Sequence, residues 1–263
     1  MSPPEPELSV VIPFYNEAAN VRSVLRELRE VLTSLGAASE VICVDDGSED
    51  TTAAELVAVA NDWPELYIEH LPQNRGQAAA LRCGFRLARG AWIATLDGDG
   101  QNPPAELSRL WALRPLADMI CGVRAERRDS RLRLVMSRLA NRVRRALLHD
   151  NVSDTGCSLK LFRREVAVSF LPIRTMYSFL PAFAIAAGFT VRQLPVAHRR
   201  RYAGKSKYGF WVMAIRPMLD LLCLVWRLRR TRRSGPHVMS ASPEKKSIIE
   251  IQRRNVLGNS NRP

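Results

Sequence analysis

The 263-residue chain has five cysteines (Cys43, Cys83, Cys121, Cys157 and Cys223), and no two of them stand at C-x-x-C spacing. That excludes the common zinc and dithiol redox motifs. Their odd number and wide scatter fit a reducing, cytosolic setting rather than a disulfide framework. No G-x-G-x-x-G follows the first apolar run and no G-x-x-x-x-G-K-[ST] occurs anywhere, so neither a dinucleotide fingerprint nor a Walker loop is present. No clean apolar stretch of about 20 residues is available to span a bilayer, and the opening MSPPEPELS has no apolar signal segment. There are only four histidines.

What is there is ordinary globular composition with an unusual charge. Hydrophobic residues make up 46% and charged residues 25% of the chain, yet the formal net charge is +13. The excess is local. Residues 122–149 hold nine arginines against Glu126 and Asp129, and residues 198–233 hold eleven lysines and arginines against Asp220, while the remainder is slightly acidic. Two surfaces that meet something anionic are implied, not a uniformly basic protein.

Along the chain, apolar runs at 8–13 (LSVVIP), 40–44 (EVICV), 66–71 and 91–96 read as buried strands. Between them, helical spacing runs from Val21 to Leu32, through Leu56 and Val59, and over 77–88. Asn16 is placed to cap the first of these helices, which Gly36 ends. Pro103 and Pro104 suit the first turn of a fourth helix. This alternation predicts an α/β domain with a mostly parallel central sheet, covered on both faces. Ligands in such sheets sit at the carboxyl ends of the strands. The polar clusters FYNE, DDGS, QNRG and DGDGQ each follow a strand and would converge on one rim. Further strands are expected at 119–123, 159–162 and 190–196, with a buried helix at 179–187. An arginine-rich helix over 131–148 would carry Arg133, Ser137 and Arg144 on one flank and Arg131, Arg138, Arg142 and Arg145 on the other. The 209–230 segment, with Trp211 and Trp226 at its edges, reads as an amphipathic helix lying on a membrane surface, or as a packing or oligomer-contact helix. The expected organisation is a flexible 1–7, one domain over 8–208, that helix, and a disordered tail over 231–263.

The stretch LDGDGQNPP, residues 96–104, carries the most chemistry. An acidic turn is one reading, since Asp and Gly are turn residues. A calcium loop would need Glu at its twelfth position; counted from Asp97 that residue is Ser108, so the loop fails. Two carboxylates at a strand end repel each other unless a cation lies between them. Mg²⁺ or Mn²⁺, which prefer oxygen ligands and share substrate phosphates, fit such a place.

Five motifs in order, VVIPFYNEAANV, VICVDDGSEDTT, NRGQAAALRCGFRLARGAWIATLDGDGQNPP, SDTGCSLKLFRRE and HRRRYAGKSKYG, resemble family-2 glycosyltransferases of the GT-A fold. The branch they are most similar to is that of polyprenyl-phosphate sugar synthases such as dolichol-phosphate mannose synthase. The resemblance runs from about residue 8 to 226. It implies an NDP-sugar donor, a divalent cation (Mg²⁺ or Mn²⁺) and a polyprenyl phosphate acceptor. By position it assigns Pro13, Tyr15, Glu17, Val44, Asp45, Asp46 and Lys207 to the nucleotide sugar, and Asp97, Asp99 and Gln101 to the metal. Arg124, Arg133, Ser137, Arg201 and Ser206 fall to the acceptor phosphate, with Gly204 in the same closing loop. Tyr177-Ser178 stands where relatives often have His-Arg.

The resemblance further implies an inverting hexose transfer at the cytoplasmic membrane face by a peripherally attached enzyme, with sugar, base and oligomeric state open. A phosphate acceptor is already largely anionic at neutral pH, its second pKa being about 6, and needs no general base. Charge management is then the main requirement, shared by Asp97, Asp99, Arg124, Arg133, Ser137 and Arg201. Plainer readings stand beside these. Arg142 and Arg145 read as a solvated face, Asp154 as a site residue or a turn, and His198 as structural. Phe85 and Trp92 read as core. Transfer to a saccharide acceptor is the nearer alternative. A nucleic-acid-binding module is the remote one, since it lacks any recognised signature and leaves the DGDGQ loop unused.

Overall fold

The computed structural model describes residues 5–125, 142, 144, 146–147, 152–199, 201 and 220–221. Arg133, Ser137, Gly204, Ser206, Lys207, Cys223 and the tail lie outside these residues. So does most of the 209–230 segment.

Seven strands form one sheet in the order β3-β2-β1-β4-β6-β5-β7. They are β1 (Leu8–Phe14), β2 (Ser39–Asp45), β3 (Leu66–His70), β4 (Trp92–Thr95), β5 (Met119–Arg124), β6 (Lys160–Arg163) and β7 (Val191–Val196). β1 pairs in parallel with both β2 and β4, and β2 with β3, as the strand–helix alternation predicts. β6 runs antiparallel to both β4 and β5, and β5 is parallel to β7. Leu8, Val10, Val11 and Ile12 of β1 are fully buried, which is why that strand is a continuous apolar run rather than an alternating one.

The helices are α1 (Ala18–Leu35), α2 (Thr52–Ala60), α3 (Gln77–Leu87), α4 (Glu106–Ala112) and α5 (Leu180–Ala186). α1 buries Val21, Val24, Leu25, Leu28 and Leu32, one stripe at helical spacing. It ends where Gly36 takes a left-handed conformation and donates its N–H to the Leu32 carbonyl. Two expectations are corrected at helix starts. Asn16 does not cap α1; it sits at φ 49° and its Oδ1 accepts the Glu49 N–H instead. The Glu17 N–H goes to Thr52 Oγ1 and the Ala18 N–H to Asp50, so the start of α1 is tied to the start of α2. Pro103 and Pro104 precede α4 rather than open it, their carbonyls accepting the N–H groups of Glu106 and Leu107.

Phe85 and Trp92 are half-buried rather than core. Phe85 packs edge-on to Phe162 and Trp92 lies under the Arg163 guanidinium. Cys43, Cys83, Cys121 and Cys157 are buried free thiols; burial pushes the Cys121 thiol up to about 12. Asp220 accepts the backbone N–H and hydroxyl of Thr175 at 2.9 and 2.6 Å, and Leu221 beside it is buried. This part of the 209–230 segment therefore packs on the domain. Among the described residues no helix is long and apolar enough to cross a membrane.

Candidate functional site

β1 is the switch point of the sheet: one neighbour, β2, follows it in sequence and the other, β4, comes two strands later. Registers Phe14↔Asp45 and Val11↔Thr95 bring the loops after β1, β2 and β4 to one rim. Such a crevice is where ligands bind in open α/β sheets.

Pro13 and Val44 face each other in register at the ends of β1 and β2, and Val44 is fully buried. Tyr15, which follows β1, is half-buried. Asp45 accepts the Ser48 N–H at 3.1 Å and meets His70 Nδ1 at 3.1 Å. Asp46 is turned the other way. Its two carboxylate oxygens accept the N–H groups of Arg75 and Gly76 at 2.8 Å each. Burial pushes its carboxyl up, and the two N–H donors oppose that shift.

The acidic loop leaves β4 beneath the β1 loop. Gly98 is needed there for close approach, since a Cβ would lie 2.4 Å from the Phe14 ring. Asp99 is buried; one oxygen accepts the Gln101 N–H at 2.9 Å and the other accepts Arg201 Nη2 at 2.9 Å. Arg201 also donates Nη1 to Glu17 at 2.9 Å, so one guanidinium bridges the loops after β1 and β4. Arg199 reinforces the junction through the carbonyls of Gly100 and Gln101 and through Glu27. Asp97 is pushed up to about 7, first by burial and then by the charge of Asp99. The Ser158 hydroxyl, Lys160 and Arg201 act against the shift.

Arg124, at the end of β5, is held bidentately by Asp154, Nε to Oδ2 at 2.8 Å and Nη2 to Oδ1 at 2.9 Å. Asp154 also accepts the N–H groups of Arg124 and Gly156. It is thus both the partner of an expected phosphate-binding arginine and the acceptor of the turn N–H two residues on, so both readings of SDTG describe contacts it makes. Arg142 is exposed, as a solvated face requires. Arg144, expected beside Arg133 and Ser137, is instead buried and donates to the Val152 carbonyl. His198 is half-buried.

Four residues around the acidic loop lie inside the five motifs but are given no role by the resemblance. Gln77 donates Nε2 to Asp97 Oδ1 at 2.7 Å. Asn102 donates to Ser158 Oγ at 2.6 Å, and Ser158 also bonds Asp97. Lys160, almost wholly buried, donates to the Cys157 carbonyl. A lysine inside the apolar run SLKLF was the available signal, because a buried charge needs a counter-charge.

Two carboxylates crowded enough to raise one of them, with an arginine standing as the cation on the other, make a place where positive charge is favoured. Among the described residues no cluster of three Asp, Glu, His or Cys side chains closes a metal site. Asp97, Asp99 and the Gln101 carboxamide are hard oxygen donors, and an ion such as Mg²⁺ or Mn²⁺ completes its shell with water and substrate phosphates. The donor set fits such an ion.

A family model described as glycosyl transferase family 2 matches residues 9–170. An undecaprenyl-phosphate 4-deoxy-4-formamido-L-arabinose transferase of Pseudomonas aeruginosa (strain LESB58) is 38% identical over 204 residues. The match covers 77% of this chain and 60% of that protein, so the chain spans about three fifths of the relative's length. Among solved structures, glucosyl-3-phosphoglycerate synthase from Mycobacterium tuberculosis, in complex with Mg²⁺ and UDP, superposes with TM-score 0.66 at 19% identity. That superposition covers 84% of this chain and 79% of the other. The mannosyltransferase PcManGT from Pyrobaculum calidifontis, in complex with GDP-Man and Mn²⁺, gives TM-score 0.57 at 19% identity, covering 97% and 81%. At these identities the two structures establish the shared fold.

Proposed function

The chain belongs to glycosyl transferase family 2, and from that membership we propose that it transfers a sugar from a nucleoside diphosphate to a polyprenyl phosphate. The observation that carries this reading is the Glu17–Arg201–Asp99 bridge at the switch point, with Asp97 beside it. It concentrates carboxylates and guanidinium where a diphosphate and its counter-ion need both. The relative's name supplies the acceptor class.

In this reading Pro13, Tyr15, Glu17, Val44, Asp45 and Asp46 form the nucleotide side, with Lys207 joining from the closing loop. Asp97, Asp99 and Gln101 hold Mg²⁺ or Mn²⁺, which offsets the charge of the departing diphosphate when bound. Arg124, Arg133, Ser137, Arg201 and Ser206 hold the acceptor phosphate and orient one oxygen behind the anomeric carbon. That oxygen forms the new C–O bond as the bond to the diphosphate breaks, with inversion, and the nucleoside diphosphate leaves. The acceptor is already anionic, so no side chain has to remove a proton. The setting is the cytoplasmic face of a membrane, reached by peripheral attachment.

The test is a panel of radiolabelled UDP- and GDP-sugars, including a 4-amino-4-deoxy-arabinose derivative, with undecaprenyl phosphate and Mn²⁺ or Mg²⁺. Metal-dependent label in the lipid extract is expected. Label found only on water-soluble saccharides would replace the lipid acceptor with a hydroxyl one.

A further inference from the structure

Gln77 opens α3 directly after the loop that follows β3 and donates across to Asp97 in the β4 loop, and neither the family resemblance nor the comparisons give it a role. We infer that Gln77 is a positioning residue for Asp97, and that Asp46 acts on the same carboxylate through it. The inference rests on the reading of Asp97 as a metal ligand.

The contacts form a continuous chain from the second loop to the fourth. The Asp46 N–H donates to the Phe14 carbonyl, which fixes its backbone at the end of β1. Its carboxylate then takes the N–H groups of Arg75 and Gly76 at 2.8 Å each. The two loops are pressed together beside this contact: a Cβ on Gly47 would lie 2.4 Å from the backbone of Gln73, and Gly47 has φ 67°, so only glycine allows this approach. Gly76 is the residue before α3, and Gln77 is the first residue of that helix. Fixing the N–H groups of 75 and 76 therefore fixes the point from which the Gln77 side chain leaves. Its Nε2 meets Asp97 Oδ1 at 2.7 Å.

A carboxylate with two oxygens can hold a cation with one and a protein donor with the other. Outer partners of this kind orient a metal ligand, and their loss typically costs about 10- to 100-fold in metal affinity or activity. Asp97 is held by two neutral donors, the Gln77 amide and the Ser158 hydroxyl, whereas Asp99 has the Gln101 N–H and the charged Arg201 guanidinium. A neutral amide is suited to this role, because it points a hydrogen at the carboxylate without adding the charge that would compete with the metal. The carboxylate of Asp46, spent on two backbone donors, is available neither to the metal nor to Asp97. Its influence must pass through the turn.

The experiment measures Mn²⁺ binding alone by electron paramagnetic resonance in the full chain, then transfer activity against Mn²⁺ concentration. Gln77→Ala and Gln77→Leu should each weaken Mn²⁺ binding roughly 10-fold. The same variants should raise the Mn²⁺ concentration for half-maximal activity while leaving kcat at saturating Mn²⁺ within about twofold of the parent. Asp46→Asn, which keeps only one of the two acceptors, should shift Mn²⁺ affinity in the same direction. The double variant Asp46→Asn/Gln77→Ala should be no weaker than the worse single one, because residues acting through one contact are not additive. Unchanged Mn²⁺ affinity in both Gln77 variants, a fall in kcat that saturating Mn²⁺ does not repair, or fully additive losses would each overturn the inference. If the parent chain binds no Mn²⁺ with or without UDP or GDP, the donor-site reading itself fails and takes the inference with it.

Discussion

Arg124 and Asp154 form a bidentate pair, 2.8 and 2.9 Å, in which the same carboxylate also accepts the Arg124 and Gly156 N–H groups. The side chains are 16% and 6% exposed, so the pair is largely shielded from water. Breaking a buried pair by removing one member costs about 3–5 kcal/mol. Asp154→Ala should therefore lower the urea midpoint markedly and reduce transfer together with it. A midpoint within error of the parent would show that the pair is not a structural tie.

Asp99 is also paired, with Arg201 and a loop N–H, but it stands against Asp97, whose carboxyl its charge raises, so its removal relieves a repulsion as it breaks a pair. Asp99→Ala is expected to leave thermal unfolding close to the parent value. It should abolish metal-dependent transfer by more than the roughly 100-fold that marks the upper end for an outer-shell partner. Full activity in this variant would remove Asp99 from the proposed metal set.

Arg201 holds Asp99, an expected metal ligand, and in the proposed reading its loop closes on donor and acceptor phosphates alike. The variant Arg201→Ala should bind Mn²⁺ alone more tightly and Mn²⁺–UDP or Mn²⁺–GDP more weakly, a reversal of sign that isothermal titration reads directly. Weaker binding in both titrations would mean that Arg201 only holds the loops together.

Asp118 at the far end of β5 accepts the Thr190 N–H and hydroxyl at 2.9 and 2.7 Å and lies 3.2 Å from Arg163. The two Thr190 donors, with Arg163, hold its carboxyl below the usual range. A carboxyl lowered on folding contributes stability that is present above its unfolded pKa, near 4, and is lost as pH falls through the lower folded value. Asp118→Asn should thus lower Tm at pH 7, and the gap to the parent should narrow as pH falls below the unfolded value near 4. A gap that persists unchanged at pH 2 would contradict this.

Much of the fold was legible because its signals are local. Apolar runs such as SVVI and VICV, punctuated by the α1 stripe and Gly36, leave little choice but parallel strands with crossover helices. The direction of β6 was not, because an apolar run carries no information about which way it enters a sheet. Asn16 misled for a related reason: its residue type suits a cap, but its left-handed backbone turns the side chain toward Glu49. At the site, Asp97, Asp99 and Arg201 were visible by motif. Gln77, Ser158 and Lys160 lay within the motifs without a role, since their importance lies in contacts with Asp97 across long stretches of sequence. Asp46 was legible only as a carboxylate; that both its oxygens are spent on Arg75 and Gly76 follows from how two loops meet.

The antiparallel entry of β6 places a restriction on chain length. Lys160 faces Thr95 on one side and Cys121 on the other, and Thr95 in turn donates its hydroxyl to the Ser158 carbonyl. Successive strand residues point to opposite faces, so adding or deleting one residue between Asp154 and Lys160 would exchange the sides of Lys160 and Leu161. A lysine would enter the side lined by Leu161 while a leucine came to stand behind Asp97. The residues from 154 to 160 therefore tolerate substitution far better than insertion or deletion.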